Sequence, residues 1–335
     1  MIRISLLAAC KQAQPLGNFP AGVPVNLNME PLFRRKGKVV IVVGATGTGK
    51  SRLAIDLAKR TPAEIINCDK IQVYKGLDIV TNKVTEEECL GVPHHLLGTI
   101  DPYSHFTADD FCHQASLVLE SVTGRDRLPI IAGGSNSYIE ALVNHHAEFR
   151  MKYECCFLWV DVSLPVLHSY LPERVDRMVE AGLVDEARKM FYPEADYSRG
   201  IGRAIGLPEL DKYLRIETTA DERTRARILE AAITKIKENT CNLACRQLQK
   251  IHRLYSQWEW SMHRLDATEV FRKRGHREAD EAWDKLVVGP SDIIVDQFLY
   301  DQDRVTTINV SQEAATSAVI GASVPTGAVA AASRY

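Results

Sequence analysis

The sequence predicts an α/β fold in which helices flank a parallel sheet and a helical C-terminal layer or small helical subdomain follows. Three observations support this prediction. A glycine-rich turn lies between an apolar run and a helical pattern at residues 44–51. Short apolar runs then alternate with helical patterns, which is typical of parallel strands joined by crossover helices. From about residue 171 to residue 258 the pattern is helical throughout.

Four apolar runs of strand length, each bounded by turn residues, are the predicted strands. They are "KVVIVVG" (38–44), "AEIINCD" (63–69), "LPIIAGG" (128–134) and "CCFLWVDV" (155–162). Residues 50–60 form a helical pattern directly after the first strand. A second helix is predicted over 106–122, where Thr107 followed by an aspartate three residues later is a helix N-cap signal.

The second half is predicted to form a helical layer beside the sheet or over its edge. Its longest helical pattern carries one apolar stripe, made of Leu229, Ile233, Ile236, Leu243, Leu248, Ile251 and Tyr255. Four parts are therefore expected. They are a flexible or transit-like N-terminus (1–36), an α/β core (37–165), a mainly helical part that completes the substrate pocket (166–300) and a flexible tail (301–335).

Composition and charge restrict the classes of function. The net charge is −2, from 41 basic and 43 acidic residues, so no global attraction to nucleic acid is indicated. No apolar run approaches the roughly 20 residues that span a bilayer, so no membrane partner is expected. The eight cysteines are scattered, and no C-x-x-C pair or matching histidine set completes a zinc site. We therefore expect reduced thiols.

The glycine-rich turn matches the phosphate-binding pattern G-x-x-x-x-G-K-[ST] without a gap. Its residues are Gly44, Ala45, Thr46, Gly47, Thr48, Gly49, Lys50 and Ser51. Glycines let backbone N–H groups point inward, the helix N-terminus adds a partial positive charge and Lys50 adds a full one. The Ser51 hydroxyl can bind Mg²⁺, the expected cofactor. The turn predicts a P-loop NTPase-like core but not the compound that it binds.

A P-loop alone leaves several reactions open. In an ATPase or kinase, a second carboxylate on a neighbouring strand holds Mg²⁺. Asp161 and Asp69 each end a predicted strand, and the spacing does not distinguish between them. A small-molecule kinase, an ATPase and a nucleotide-binding module without catalysis are therefore all compatible with the pattern.

The stretch after the second strand is more specific. From "NCDKIQVYKGLDIVTNK" (67–83) onwards, the chain resembles the isopentenyltransferases that act on adenine, namely the tRNA dimethylallyltransferases and the adenylate-using relatives that make cytokinins. The other matching segments follow in order: "VPHHL" (92–96), "TIDP" (99–102), "FTADDF" (106–111), "AGGSNSY" (132–138), "MVEAGLVDEAR" (178–188), "GRAIGLPEL" (202–210) and "NLACRQL" (242–248). The resemblance covers nearly all of residues 38–266.

This resemblance implies that the dimethylallyl group of dimethylallyl diphosphate is transferred to N6 of adenine. It implies that Asp69 is the base for the N6 proton and that Arg203 and Arg246 lie near the departing diphosphate, where a guanidinium can contact two oxygens. Asp161 is then expected only to end a core strand. The residues that correspond to the diphosphate cradle are Thr46, Gly47, Gly49, Lys50 and, through Mg²⁺, Ser51.

Each assigned role has a plainer structural alternative. Asp69 could cap a helix or support a magnesium ligand, and Arg203 and Arg246 could lie on solvated or ion-paired faces. His94 and His95 look like a metal pair, but adjacent residues point apart and no third ligand is apparent. We therefore expect the two histidines to be local structure near the pocket.

The acceptor is expected to be a nucleotide and not tRNA. The tRNA-modifying relatives carry a long helical insertion after the glycine pair, and here "AGGSNSYIEALV" (132–143) runs into "CCFLWVDV" too soon to accommodate it. Cys245 occupies the position at which the tRNA-modifying relatives commonly have a lysine. The chain therefore lacks a positive charge there that would help to bind a tRNA stem. The chain therefore looks like a plant-type adenylate isopentenyltransferase that acts as a monomer, without nucleic acid. Dimethylallylation of tRNA is the alternative.

The choice among AMP, ADP and ATP depends on less specific features. "FRKRGHR" (271–277) is the densest basic cluster, and Lys273 and Arg274 within it could neutralise β- and γ-phosphates. The alternative is a solvated helix end, which charge runs usually are. The resemblance to plant relatives favours ATP or ADP over AMP.

The N-terminal stretch bears on localisation. It contains no acidic residue before Glu30 and is weakly basic. This composition fits part of an organellar transit peptide or an unstructured terminus. With the plant-type resemblance, it leads us to expect a plastid location, with the cytosol as the alternative.

Overall fold

The structure is a computed structural model that describes residues 36–257 and 260–300. The predicted tail (301–335) lies outside the described residues, and so does the predicted N-terminus (1–36) except for its last residue. Within the described residues, no helix is both long and apolar enough to cross a membrane.

Six parallel strands form the central sheet. They are β1 (Gly37–Val43), β2 (Ala63–Asn67), β3 (His94–His95), β4 (Leu128–Ala132), β5 (Tyr153–Asp161) and β6 (Met262–Asp266). Their order across the sheet is β3-β2-β4-β1-β5-β6. β1 lies between β4 and β5, with Val40 opposite Ile130 on one side and Cys156 on the other. The predicted parallel sheet is confirmed.

Helices connect the strands and make up most of the second half. They are α1 (Lys50–Arg60), α2 (Glu86–Cys89), α3 (Ala108–Thr123), α4 (Asn136–Glu140), α5 (Ala147–Lys152), α6 (Leu164–Glu180), α7 (Leu183–Met190), α8 (Leu207–Ile216), α9 (Glu222–Gln257), α10 (Thr268–Arg272) and α11 (Glu278–Trp283), followed by a helix over 289–300. The predicted N-cap of α3 is confirmed, since the Thr107 hydroxyl accepts from the Asp110 N–H at 3.1 Å.

The sheet has an apolar layer on each face. Because successive side chains of a strand point to opposite faces, β1 contributes Val39, Ile41 and Val43 to one layer and Val40 and Val42 to the other. The first layer includes residues of α3, α8 and α9, and the second includes residues of α1 and α6. Coverage of both faces is usual for a parallel sheet and explains the continuous apolar runs.

The sequence analysis does not predict the two edge strands. β3 has two residues, which is too short for a periodic signal. β6 reads "MHRLD" and lies in the part expected to be mainly helical (166–300), so the sheet extends into that part. Pairing with β5 holds β6 in place, and Arg264 donates from Nε and Nη2 to the Asp161 carboxylate at 2.8 and 2.6 Å.

The long helix α9 packs with most of the predicted stripe against the core, and it also buries residues outside that stripe. Its buried residues are Ala232, Ile236, Thr240, Ala244, Gln247, Ile251 and Leu254. The prediction is right for Ile236 and Ile251, which are buried, and wrong for Tyr255, which is 52% exposed. Three further predicted residues are partly buried against the same core, namely Leu229, Ile233 and Leu248. The two polar residues of the buried stripe, Thr240 and Gln247, are both hydrogen-bonded.

The cysteines of the described residues are all free. Cys68, Cys112 and Cys156 are buried among apolar side chains. The expectation of reduced thiols is confirmed for this part of the chain.

Candidate active site

The P-loop connects the C-terminal end of β1 to α1, as predicted. Gly47 and Gly49 have φ angles of 82° and 97°, in the left-handed region that favours glycine. A Cβ at Gly49 would lie 2.7 Å from the Trp283 ring, so this position also lacks room for a side chain. Inside the loop, the Ala45 carbonyl oxygen accepts from the Thr48 hydroxyl at 3.0 Å.

Lys50 is folded into the P-loop. Its ammonium group donates to the Ala45 carbonyl oxygen at 2.6 Å, and only 8% of the residue is exposed. Burial lowers the pKa of Lys50 to about 8; the nearby Asp69 carboxylate opposes this shift and the Arg174 guanidinium adds to it. A poorly solvated cation of this kind is well placed to bind an anion.

The helix α6 packs over the tip of the P-loop and contributes a second cation. A Cβ at Gly47 would lie 2.7 Å from Leu171 of this helix. Arg174 donates from Nη2 to the Thr46 hydroxyl at 3.3 Å, whereas its solvent-shielded Nε has no hydrogen-bond partner among the described residues. Burial lowers the pKa of Arg174. Arg174 is absent from the sequence-based prediction because nothing local distinguishes it from other helical arginines.

Asp69 lies beside the P-loop, just after β2. Its Oδ1 accepts from the Ile71 N–H at 2.9 Å, so one oxygen does cap a turn, as the plainer alternative supposes. Its Oδ2 lies 3.0 Å from the position of a Cβ built at Gly134, after β4. Asp69 is also close enough to Lys50 for its carboxylate to oppose the lowering of the Lys50 pKa. One carboxylate oxygen therefore fixes the turn while the other faces the edge of the sheet that carries the P-loop.

Gln247 of α9 contacts both sides of this site. Its Oε1 accepts from the Thr46 N–H at 2.7 Å, and its Nε2 donates to the Gly134 carbonyl oxygen at 2.9 Å. The sequence analysis includes Gln247 in a matching segment but assigns it no role.

Four cations form an outer group centred on Lys70, the residue that follows Asp69. They are Lys70, Arg203, Arg246 and Lys250. The pKa of Lys70 is lowered, first by partial burial and then by repulsion from the other three, while Asp69 opposes the shift. The predicted Arg203 and Arg246 are both exposed, whereas Lys70 and Lys250 are absent from the sequence-based prediction. Lys250 also has an acidic partner, since its ammonium lies 3.1 Å from the Glu140 carboxylate.

Lys273 and Arg274 directly follow α10 and have acidic partners. Arg274 donates to both carboxylate oxygens of Glu173, at 2.6 and 3.0 Å. The Lys273 ammonium is 4.0 Å from the Glu269 carboxylate. Much of the charge predicted to act on nucleotide phosphates is therefore compensated within the protein.

Ser51 is exposed in the first turn of α1, where it lines a small cavity with Asn67 and Gln72. Within residues 36–257 and 260–300, no group of three or more His, Cys, Asp or Glu side chains could hold a metal ion. An ion at Ser51 would therefore take most of its ligands from substrate phosphate and water. Mg²⁺ is commonly bound in this way at phosphate sites, so the residues fit it.

The remaining candidates have structural partners. Asp161 is buried at the end of β5 and bound by Arg264, which confirms the expectation that it ends a core strand. The His95 ring lies 2.7 Å from the Glu64 carboxylate, and the His94 ring lies 2.8 Å from the Val92 carbonyl oxygen.

Comparison with known proteins gives a family match over much of the chain. The model of the family described as "IPP transferase" matches residues 72–152 and 144–253. These ranges include Arg174, Arg203, Arg246 and Gln247, and they begin just after Asp69.

Similar curated proteins are plant enzymes. Adenylate isopentenyltransferase 5, chloroplastic, from Arabidopsis thaliana is 66% identical, with 84% of this chain and 88% of the relative covered. Adenylate isopentenyltransferase 7, mitochondrial, from the same plant is 53% identical, with 93% and 95% covered. An adenylate isopentenyltransferase from Humulus lupulus is 44% identical, with 77% and 89% covered.

Solved structures with a similar fold come from enzymes that modify tRNA. A eukaryotic dimethylallyltransferase acting on tRNA has a TM-score of 0.69 at 23% identity, with 79% of this chain and 80% of that chain covered. A tRNA isopentenylpyrophosphate transferase from Bacillus halodurans has a TM-score of 0.60 at 29% identity, with 75% and 97% covered. The first of these likenesses concerns the fold alone.

Proposed function

The chain belongs to the IPP transferase family, and from this premise we propose that it transfers the dimethylallyl group of dimethylallyl diphosphate to N6 of an adenine nucleotide. Diphosphate is released, and the reaction is the first step of cytokinin biosynthesis. The observation that carries the proposal is that Asp69 Oδ2 and Gln247 Nε2 both approach Gly134, while Gln247 Oε1 accepts from the Thr46 N–H, so a carboxylate adjoins the P-loop. The 66% identity to an adenylate isopentenyltransferase supports the same reaction.

The P-loop side binds the prenyl donor in this proposal. As the bond between C1 and the bridging oxygen breaks, negative charge grows on the diphosphate, where Lys50, Arg174 and the P-loop N–H groups stabilise it. Bound Mg²⁺, held by the Ser51 hydroxyl, would neutralise further diphosphate charge. The stabilising groups are in place before the reaction, which lowers the cost of reorganisation.

Asp69 acts on the acceptor. As N6 forms its bond to C1, N6 loses a proton, and the Asp69 oxygen that is not engaged with the Ile71 N–H accepts it. The adenine N6 is a weak nucleophile until that proton begins to leave. Because the other carboxylate oxygen is fixed, the base has a defined direction.

In this proposal Arg203 and Arg246 contact the departing diphosphate, as the family resemblance implies, and Lys70 and Lys250 of the same outer group bind the acceptor phosphates. Lys70 and Lys250 exceed what one diphosphate needs, because Lys50, Arg174, Arg203 and Arg246 are already assigned to it. These two further cations favour ATP or ADP over AMP as acceptor. Lys273 and Arg274 remain a second candidate group for these phosphates.

The relatives and the chain also bear on localisation, oligomeric state and the type of acceptor. The chain is assigned to the plastid, because the relatives numbered 5 and 3 are named chloroplastic, although number 7 is named mitochondrial. We also propose that it acts as a monomer on free nucleotides. Only residues 133–152 connect β4 to β5, which leaves little surface there for a tRNA stem.

The proposed function is tested by incubating the chain with Mg²⁺, dimethylallyl diphosphate and an equal mixture of AMP, ADP and ATP. Mass spectrometry should detect a C₅H₈ addition to a nucleotide, mainly ATP or ADP, together with diphosphate. Loss of ATP to ADP without prenylation would support a kinase or ATPase instead. A parallel incubation with an anticodon stem-loop RNA tests tRNA modification, and preferential prenylation of the RNA would overturn the nucleotide acceptor.

A further inference from the structure

Gln247 is a polar residue on the buried face of α9, with only 8% of its surface exposed. Its side-chain amide joins two loops that are remote in sequence. Oε1 accepts from the Thr46 N–H of the P-loop at 2.7 Å, and Nε2 donates to the Gly134 carbonyl oxygen at 2.9 Å. The amide therefore links the donor side of the site to the loop that follows β4.

The partners of this amide fix its orientation. Exchange of Oε1 and Nε2 would place two donors together at Thr46 and two acceptors together at Gly134. The main chain is held as well, since Asn136, itself buried, donates from Nδ2 to the Gln247 carbonyl oxygen at 3.2 Å. Gln247 is thus fixed at both its backbone and its side chain.

The amide also adjoins the proposed base. A Cβ built at Gly134 would lie 2.5 Å from Gln247 Nε2 and 3.0 Å from Asp69 Oδ2, so both side chains approach the same point of the backbone. A change in the position of Gly134 therefore alters the space around the carboxylate. Likewise, a change at Thr46 moves the loop that cradles the diphosphate.

We propose that Gln247 is a positioning residue that holds the P-loop and the Gly134 loop at the separation at which the prenyl donor meets N6 and Asp69. The inference rests on the proposed prenyl transfer. It requires both hydrogen bonds of the amide, because loss of either one releases one side of the site from the other.

Gln247→Leu keeps a similar volume but removes both hydrogen bonds. We expect kcat to fall by about 10²-fold, the scale of a misplacement of about 1 Å, while KM for the donor and the nucleotide changes far less. Gln249→Leu is the matched control, because Gln249 is exposed on the same helix. Thermal unfolding of both variants shows whether the fold is kept.

Gln247→Glu separates the two hydrogen bonds. A carboxylate can accept from the Thr46 N–H but cannot donate to the Gly134 carbonyl oxygen, whereas a protonated carboxyl group can do both. We expect the ratio of variant to wild-type kcat to rise as the pH is lowered. A side chain that only fills space would not give this pH dependence.

The outcomes are distinct. If wild type prenylates no nucleotide, the proposed function fails and this inference fails with it. If wild type is active and Gln247→Leu matches its kcat, the inference alone is overturned. A flat ratio for Gln247→Glu across pH also overturns it, and this measurement decides the matter if Gln247→Leu does not fold.

Discussion

At the scale of the residue, the site depends on side chains whose atoms have separate tasks. Asp69 uses one oxygen to accept from the Ile71 N–H and presents the other towards Gly134. Lys50 donates to a carbonyl of its own loop and has a charge that burial disfavours. In both cases the fold determines which atom is available to substrate.

Asp69→Asn should remove the base while it keeps the hydrogen bond that caps the turn. The amide oxygen can still accept from the Ile71 N–H, but the group no longer takes a proton from N6. We expect kcat to fall by about 10²–10⁴-fold, the scale of general-base catalysis, with little change in the melting temperature. Steady-state kinetics and thermal unfolding check this, and activity near that of wild type would exclude Asp69 as the base.

Lys50 should give the donor affinity a pH dependence. Because its pKa is lowered to about 8, the ammonium of the ligand-free protein loses its proton as the pH rises through 8, and the cradle loses a positive charge. We expect kcat/KM for dimethylallyl diphosphate to fall above about pH 8, by up to about tenfold per pH unit. At saturating donor, kcat should fall less, since bound diphosphate favours the charged form.

The measurement is a set of kinetic profiles from pH 6.5 to about 9.5. In Lys50→Arg the side chain keeps its charge throughout this range. The fall of kcat/KM above about pH 8 should therefore disappear in this variant, even if its overall rate is lower. A profile of wild-type kcat/KM that stays flat up to pH 9.5 would contradict the prediction, whatever the rate of the variant.

At the scale of the element, helices from the second half complete a site that begins on the sheet. α6 contributes Arg174 and packs on Gly47, and α9 contributes Arg246 and Gln247. The segment that follows β6 packs on α6 instead, where Tyr170 and Phe271 are in edge contact with centroids 5.0 Å apart. The two groups of cations therefore belong to different elements and can be tested separately.

Lys70→Ala with Lys250→Ala should weaken binding of the acceptor phosphates. We expect KM for ATP and ADP to rise by about tenfold or more and KM for AMP to rise less, since AMP lacks the distal phosphates. Lys235→Ala is the matched control on the exposed face of α9. Equal changes in KM for AMP and ATP would show that these lysines do not bind the distal phosphates.

Lys273→Ala with Arg274→Ala is the corresponding change in the basic cluster. The sequence-based prediction is that KM for ATP rises far more than KM for AMP. Because Arg274 pairs with both Glu173 oxygens and Lys273 lies 4.0 Å from Glu269, we expect a smaller effect than the sequence alone predicts. Kinetics with AMP and ATP check this, and identical effects on both nucleotides would remove the cluster from the acceptor site.

At the scale of the whole molecule, the order of the strands assembles the site. β4 lies between β2 and β1, so Asp69 after β2, Gly134 after β4 and the P-loop after β1 meet at the carboxyl edge of the sheet. Ligand sites of open α/β sheets lie at this edge. β6 is the edge strand at the opposite end of the strand order from β3. It pairs with β5, and the Asp161–Arg264 contact joins the two strands.

Asp161→Asn tests whether this contact is structural. Asp161 is buried, and an amide accepts more weakly from Arg264 than a carboxylate does. We expect a loss of about 1–2 kcal/mol in the free energy of unfolding, with kcat for prenyl transfer within about twofold of wild type. Denaturant unfolding and kinetics measure the two quantities. A large loss of kcat with unchanged stability would instead support a metal-binding role, as in a kinase.

The features that the sequence by itself determined depend on neighbouring residues. The P-loop, the four strands β1, β2, β4 and β5, the N-cap of α3 and the position of Asp69 at a strand end are set by glycines, apolar runs and capping residues within short windows. Their local energetics decide the conformation, and the family resemblance adds the chemistry. This was sufficient to predict the fold class and the P-loop that joins β1 to α1.

Only the tertiary structure decided the contacts between remote segments. Arg174, Gln247, Lys70 and Lys250 resemble ordinary helical or loop residues until α6 and α9 pack against the P-loop. The edge strand β6 and the buried stripe of α9 likewise depend on which surfaces meet. Burial and hydrogen-bond partners are properties of the packed fold, and no pattern within one segment specifies what a distant segment will place against it.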